Sequence, residues 1–255
     1  MPSITELVCE LGLADQLVGR TGFCIHPKEM LKKIPKVGGT KSANLKKIRE
    51  LAPTHVIVNV DENRKETADA LAEFVPNLIV THPLAPLDNL ALYRQIGKAF
   101  GKEREAEALC ARFESVYKSV LKKDFRKKSV LYLIWKDPWM TVARDTYVAR
   151  TLAAVGWDTV PAVSAARYPA IDVIEAAREA DAVLLSTEPY RFGAPHAAAL
   201  AAELAAHGCV KPVRLIDGEM TSWYGSRAIA GLRYLAALRC GSKPGSKPGS
   251  NLSGE

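Results

Sequence analysis

Aromatic side chains make up only 7% of the 255 residues, so their placement is informative. Trp135, Pro138 and Trp139 stand at the end of the apolar run Val130–Trp135, and Trp223 and Tyr224 stand where the last helical pattern opens. In an open α/β sheet the ligand crevice lies beyond the carboxyl ends of the strands. Flat, rigid rings there suit a large planar or macrocyclic ligand, although Trp135 and Trp139 would serve equally to cover a sheet edge. Trp157 reads as core. His26 lies in the loop Thr21-Gly22-Phe23-Cys24-Ile25-His26-Pro27. Its imidazole is of a type that ligates metals, but His26 and Cys24 alone do not complete a site, so a metal contact there requires a ligand that brings its own metal. Glu62 and Glu188 each follow an apolar strand run, Val56–Val60 and Val183–Ser186. Such paired acids would dock a partner with basic pockets, or each would simply favour the start of the next helix.

Covalent chemistry is not written into the chain. It has no GxSxG, no GxGxxG after a strand, no P-loop and no HExxH. Gly38-Gly39-Thr40-Lys41 superficially resembles a phosphate loop, but no strong strand leads into it, so it reads as a turn.

These residues are carried by strands alternating with helices, the pattern of a parallel sheet. In the first half, Ser3 and Glu6 suggest a capping box on an opening helix that ends at Gly12 or Gly19. Asn44–Leu51 predicts a helix, Val56–Val60 a strand, Glu66–Phe74 a helix and Leu78–Val80 a strand. In the second half, strands are expected at Val130–Trp135, Ala182–Ser186 and Val213–Ile216. Helices are expected at Thr146–Val155, Val173–Glu179, Ala197–His207 and Ser222–Leu238. Between the halves, the stripe from Leu90 through Phe100 to Phe113 and Leu121 predicts a helical bridge with a break near Gly101. A helix of this length is more often a strut than a hinge. The expectation is therefore an α/β protein of two Rossmann-like lobes joined by a long backbone helix, with a cleft between them. The lobes fall at 1–87 and 129–240, the bridge at 88–128 with its backbone helix at about 102–122, and a Gly/Ser/Lys/Pro tail at 241–255.

Hydrophobic content of 48% and charged content of 25% suit a globular protein with two cores. The net charge of +7 raises nucleic-acid binding, but the basic residues are dispersed and read as a solvated surface. No apolar run approaches the roughly 20 residues of a membrane span, and Met1-Pro2-Ser3-Ile4-Thr5-Glu6 carries no leader pattern. The cysteines at 9, 24, 110, 209 and 240 form no CxxC or zinc spacing and are expected to be reduced and mostly buried.

Taken together, several segments resemble the helical-backbone metal-receptor family, the class III substrate-binding proteins of ABC importers for vitamin B12, haem and iron–siderophores. They are Pro2-Ser3-Ile4-Thr5-Glu6-Leu7 with Leu11-Gly12-Leu13 and Leu17-Val18-Gly19, then Lys36-Val37-Gly38-Gly39 with Asn44-Leu45, Ile48, Leu51-Ala52-Pro53 and Val56-Ile57. Glu188-Pro189-Tyr190-Arg191-Phe192 and Trp223-Tyr224-Gly225-Ser226-Arg227 complete the set, which covers Met1 to Arg239 and is nearest the cobalamin-binding branch. The resemblance implies a non-enzymatic receptor with no intrinsic cofactor that delivers a metal chelate, cobalamin first, to ABC permease subunits. Glu62 and Glu188 would meet permease arginines. Phe23, His26, Trp135, Trp139, Trp223 and Tyr224 would contact the ligand, His26 touching its metal or macrocycle.

A monomer in the periplasm or at the cell surface, with no nucleic-acid partner, is expected. Family members begin with a strand leading into the Pro-Ser motif. Here Met1 directly precedes Pro2, so either the start is truncated or the first lobe has a vacant sheet position. Other readings are a ferric-siderophore or haem receptor, a cytoplasmic chelate-binding protein, and a sugar-nucleotide enzyme on the same scaffold.

Overall fold

The computed structural model describes residues 1–241; positions 242–255 of the expected tail lie outside the described residues. Contacts divide the chain into two compact units, Met1–Glu114 with Ser222–Ala228, and Ser115–Thr221 with Ile229 onward.

The first unit opens on α1 (Pro2–Glu10), with Pro2 in the first turn, where its missing N–H costs nothing. The expected capping box does not form: Met1 is the N-cap, Ser3 lies inside the helix, and Glu6 accepts hydrogen bonds from Arg227 at 2.8 and 2.7 Å. Two elements escaped the sequence reading, the 3₁₀ turn Ala14–Gln16 and the single-turn α2 (Lys28–Leu31). α3 (Leu45–Glu50) starts where Asn44 caps it by accepting from the Lys47 N–H at 2.9 Å. β1 (His55–Asn59), α4 (Lys65–Ala72) and β2 (Asn77–Thr81) follow. β1 and β2 pair in parallel from His55–Asn77 to Asn59–Thr81, over a core of Ile48, Val58, Leu71 and Val75.

α5 (Asp88–Ala99) and α6 (Glu103–Leu121) are separated as the sequence predicts. Gly101 takes φ +63°, a left-handed conformation that an L side chain resists, and the Lys102 N–H folds back onto the Gly97 carbonyl at 2.7 Å. The 19 residues of α6 make a rod of about 28 Å. The division between units falls inside it at Glu114, so the predicted bridge belongs partly to each unit.

The second unit contains β3 (Lys128–Leu133), α7 (Tyr147–Ala153), β4 (Trp157–Thr159), α8 (Val173–Arg178), β5 (Ala182–Ser186), α9 (Ala194–Ala206), β6 (Val213–Ile216) and all but the last residue of α10 (Gly218–Ser222). It also holds most of α11 (Arg227–Arg239). Its sheet runs β4-β3-β5-β6, parallel throughout. Val130–Leu133 and Val183–Leu185 are buried along their length, as central parallel strands covered on both faces must be. Leu131, Leu133, Val183, Leu185, Leu200 and Leu204 form its core.

The predicted last helix, Ser222–Leu238, is in fact two helices, interrupted at Trp223–Ser226. Gly225 there adopts φ +77°, donates its N–H to Asn89 Oδ1 at 2.6 Å and accepts from the Tyr93 hydroxyl at 2.9 Å. All cysteines are free and only Cys240 is exposed. No described helix is long and apolar enough to cross a membrane.

Candidate functional site

In the first unit Glu62 sits just past the carboxyl end of β1. Asn59, itself buried, accepts from the N–H groups of Asp61 at 2.9 Å and Glu62 at 3.3 Å and fixes the turn. Asp61 lies 3.5 Å from His82 Nε2, at the end of the neighbouring strand. The Glu62 carboxylate accepts a 2.8 Å hydrogen bond from the Tyr224 hydroxyl. Burial, then the negative charge of Glu62, pushes Tyr224 well above the ordinary tyrosine pKa, so the phenol remains a donor at neutral pH.

Tyr224 is therefore committed to positioning an acid. Both it and Trp223, assigned to the ligand from sequence, are buried, with 7% and 6% of their surface exposed. Trp223 lies between the His26 imidazole, edge-on at 5.8 Å, and the Arg227 guanidinium at 4.7 Å. Phe23, in the same loop as His26, is 62% exposed, and Ile25 and Met30 are exposed beside it in sequence. A single exposed apolar side chain is ordinary, but three within one short segment offer apolar surface for contact.

The second unit gathers its own aromatic group. Trp135 is 41% exposed and meets Tyr190 edge-on at 5.5 Å. Trp139 stacks on Phe192 at 5.9 Å with an interplanar angle of 10°. Tyr190 and Phe192 lie 4.5 Å apart, and His196 abuts both. The segment after β3 is folded back by the bonds Ile134 N–H to Met140 carbonyl, 3.0 Å, and Met140 N–H to Trp135 carbonyl, 3.2 Å. The rings thus stand beyond the carboxyl ends of β3 and β5, the edge of a parallel sheet that meets ligands. Sequence reasoning missed Tyr190, Phe192 and His196 as members of this group. The available signal was that they follow β5 as Trp135 and Trp139 follow β3.

Glu188 also follows β5, and its main chain is anchored by Ser186, whose hydroxyl donates to the Glu188 carbonyl at 2.6 Å. Behind Ser186 the fully buried Tyr132 donates its hydroxyl to Ser186 at 2.9 Å and lies 2.6 Å from the Thr221 hydroxyl. Burial pushes the Tyr132 phenol up to about 12, against an opposing effect of its two hydroxyl partners. The folded chain holds this proton where an unfolded tyrosine, near 10, releases it. This contribution to stability is therefore complete below about pH 10 and is lost as pH rises towards about 12. Tyr132→Phe is expected to flatten the fall of stability above pH 10 by about 1.4 kcal/mol per pH unit, measured by urea unfolding at pH 8, 10 and 11. An unchanged slope would contradict the assignment.

Among the described residues, no group of three His, Cys, Asp or Glu is placed to hold a metal ion. Each unit by itself presents an acid on an ordered turn and a set of aromatic side chains, Glu62 with Phe23 and Trp223 in the first and Glu188 with Trp135 and Trp139 in the second.

The periplasmic binding protein family model matches residues 1–198, and the chain belongs to that family. It is 30% identical over 166 residues to the uncharacterized ABC transporter substrate-binding lipoprotein YvrC of Bacillus subtilis, covering 61% of this chain and 52% of the relative. The chain thus spans about half the length of the curated relative it matches. Among solved structures, its fold is similar to that of the vitamin B12 binding protein BtuF of Vibrio cholerae, with a TM-score of 0.79, 15% identity and 94% of each chain covered. It is also similar to a periplasmic heme binding protein of Pseudomonas aeruginosa, with a TM-score of 0.80, 20% identity and coverage of 97% and 93%. A third is the heme-binding protein RhuT of Roseiflexus sp. RS-1, with a TM-score of 0.78, 21% identity and coverage of 93% and 95%. The expected fold, two α/β lobes of the class III kind, is the one these proteins share.

Proposed function

We propose that this protein is the substrate-binding component of an ABC importer, working as a monomer outside the cytoplasmic membrane, and that its cargo is a bulky metal chelate. The observation that carries the reading is the family match over residues 1–198, in a chain whose rings gather beyond the strand ends. The relative's name as an ABC transporter lipoprotein supports the transport role, and structures of like fold bind vitamin B12 or heme. Cobalamin is the first candidate, with haem or a ferric siderophore as the alternative.

Trp135, Trp139 and Phe23 supply contact area. His26, backed by Trp223, offers an imidazole to the metal or macrocycle. Glu62 and Glu188 dock the permease. No chemical step is assigned to the protein.

Titration with cyanocobalamin, haem and a ferric siderophore, following tryptophan fluorescence, tests the cargo. Quenching at micromolar concentration is expected with one of them and should weaken when Trp135 is replaced by alanine. Silence with all three would overturn the chelate assignment.

A further inference from the structure

The first unit gathers Cys9 and Cys24 into one small core. They are 7% and 1% exposed, and with Leu31 they form a buried cluster against Ala14, Leu17 and Ile34. Both are free thiols.

Their nearness follows from α1. Thr5 and Cys9 are four residues apart on that helix, so their Cβ atoms lie about 5–6 Å apart on one face. The Thr5 hydroxyl donates to Cys24 Sγ at 3.1 Å, and the Thr21 hydroxyl lies 3.1 Å from the same sulfur. The Cys24 thiol is thereby held against the helical face that carries Cys9. Burial first, then the charge of Glu6, then Cys24 itself pushes the Cys9 thiol up to about 11, and the last of these causes marks the two sulfurs as neighbours.

Apolar packing does not account for the pair. A buried cysteine that serves as a small hydrophobe needs no hydroxyl beside it, whereas two hydroxyls fix the Cys24 sulfur in place. The main chain of Cys24 is fixed as well: its carbonyl accepts from Arg20 Nη1 at 2.9 Å and its N–H donates to the Thr21 carbonyl at 3.2 Å. A pre-set turn is what a cross-link needs, because disulfide geometry tolerates little backbone error.

We infer that Cys9 and Cys24 are the two halves of a disulfide that ties α1 to the loop carrying Phe23 and His26. Closing it joins the two sulfurs and breaks both S–H bonds. The two electrons reduce a small-molecule disulfide of the glutathione class to two thiols, which take up the two protons. The bond closes a loop of about 15 residues. Cys24 follows Phe23 directly and stands two residues before His26, so the bond restrains the segment assigned to cargo. That consequence rests on the function proposed above; formation of the bond does not, and it is tested without cargo.

The whole protein is unfolded in urea and refolded either with oxidised and reduced glutathione or with dithiothreitol. After the glutathione arm, the intact mass should fall by two hydrogens, and digestion of the alkylated protein should yield a peptide linking Cys9 to Cys24. Tm should exceed that of the dithiothreitol arm by about 5 °C or more, and amide exchange at Phe23 and His26 should slow by roughly tenfold. Cys9→Ala, which keeps a small apolar side chain in the core, should erase every difference between the two arms, as should Cys24→Ala. The inference is overturned if both thiols survive the glutathione arm, if the linked peptide contains Cys110, Cys209 or Cys240 instead, or if the linked protein melts no higher and exchanges no more slowly than the reduced one.

Discussion

Replacing Glu62 and Glu188 together by alanine is expected to leave chelate affinity within about twofold and to abolish delivery to the importer. Each acid stands on a turn that the fold fixes independently. Asn59 orders the Glu62 turn and Tyr224 holds the carboxylate, while Ser186, itself held by Tyr132, anchors the main chain of Glu188. A charge-assisted contact from a partner arginine contributes about 2 kcal/mol. Losing two weakens docking by about 4 kcal/mol, roughly a thousandfold. Single replacements should each have about half that effect in free energy, and Tyr224→Phe a smaller one, because the carboxylate stays but is less well aimed. Delivery is read as ligand-dependent stimulation of ATP hydrolysis by the cognate permease in proteoliposomes, and affinity by fluorescence titration. Loss of affinity in the double variant would refute the docking role, and full stimulation would refute it more directly.

How far the sequence was legible depended on where each signal's partner lay. Local signals were read well. Asn44 and Thr146 cap the helices expected after them, and the Gly101 break lies where the apolar stripe faltered. Ala182–Ser186 was found with its observed limits because a buried parallel strand is a continuous apolar run, and Val213–Ile216, a partly exposed edge strand, was found with its limits as well. Signals with distant partners were misread. Ser3 and Glu6 have the spacing of a capping box, yet Glu6 answers to a guanidinium 221 positions away. Trp223 and Tyr224 were placed in a loop with no account of what covers them, because their neighbours His26 and Glu62 are equally remote in the chain. Trp223 and Tyr224 were placed at the turn that opens the last helix, but the helix was started at Ser222 rather than Arg227, and the contacts of Gly225 with Asn89 and Tyr93 show why the chain turns for longer. β4, at three residues, is too short to carry a period. The placement of Glu62 and Glu188 after strands was visible; the hydroxyls that hold them were not.

Arg227→Ala should produce the largest loss of stability among surface-directed substitutions in the first unit. Arg227 opens α11, where the helix dipole disfavours a cation, so local structure does not explain an arginine there. Its explanation is tertiary. The guanidinium donates through Nε and Nη2 to the two oxygens of Glu6 at 2.8 and 2.7 Å and lies 4.7 Å from the centre of the Trp223 ring. Side-chain exposures of 11% for Arg227 and 21% for Glu6 place the pair between a surface bridge, at about 0–1 kcal/mol, and a buried one, whose rupture costs about 3–5 kcal/mol. A loss of about 2–3 kcal/mol is therefore expected on truncation, partly because Glu6 keeps a charge without its fork. Arg227→Lys should recover less than half, since an ammonium cannot bond both oxygens in one plane. A double-mutant cycle with Glu6→Gln, read from urea midpoints at constant m, isolates the pair. Coupling below about 0.5 kcal/mol would show that it behaves as an ordinary surface bridge. The same variant tests the reach of this corner, because Trp223 backs His26: freeing the ring should loosen the His26 loop and weaken chelate binding, while leaving the Trp135–Tyr190 group of the second unit in place.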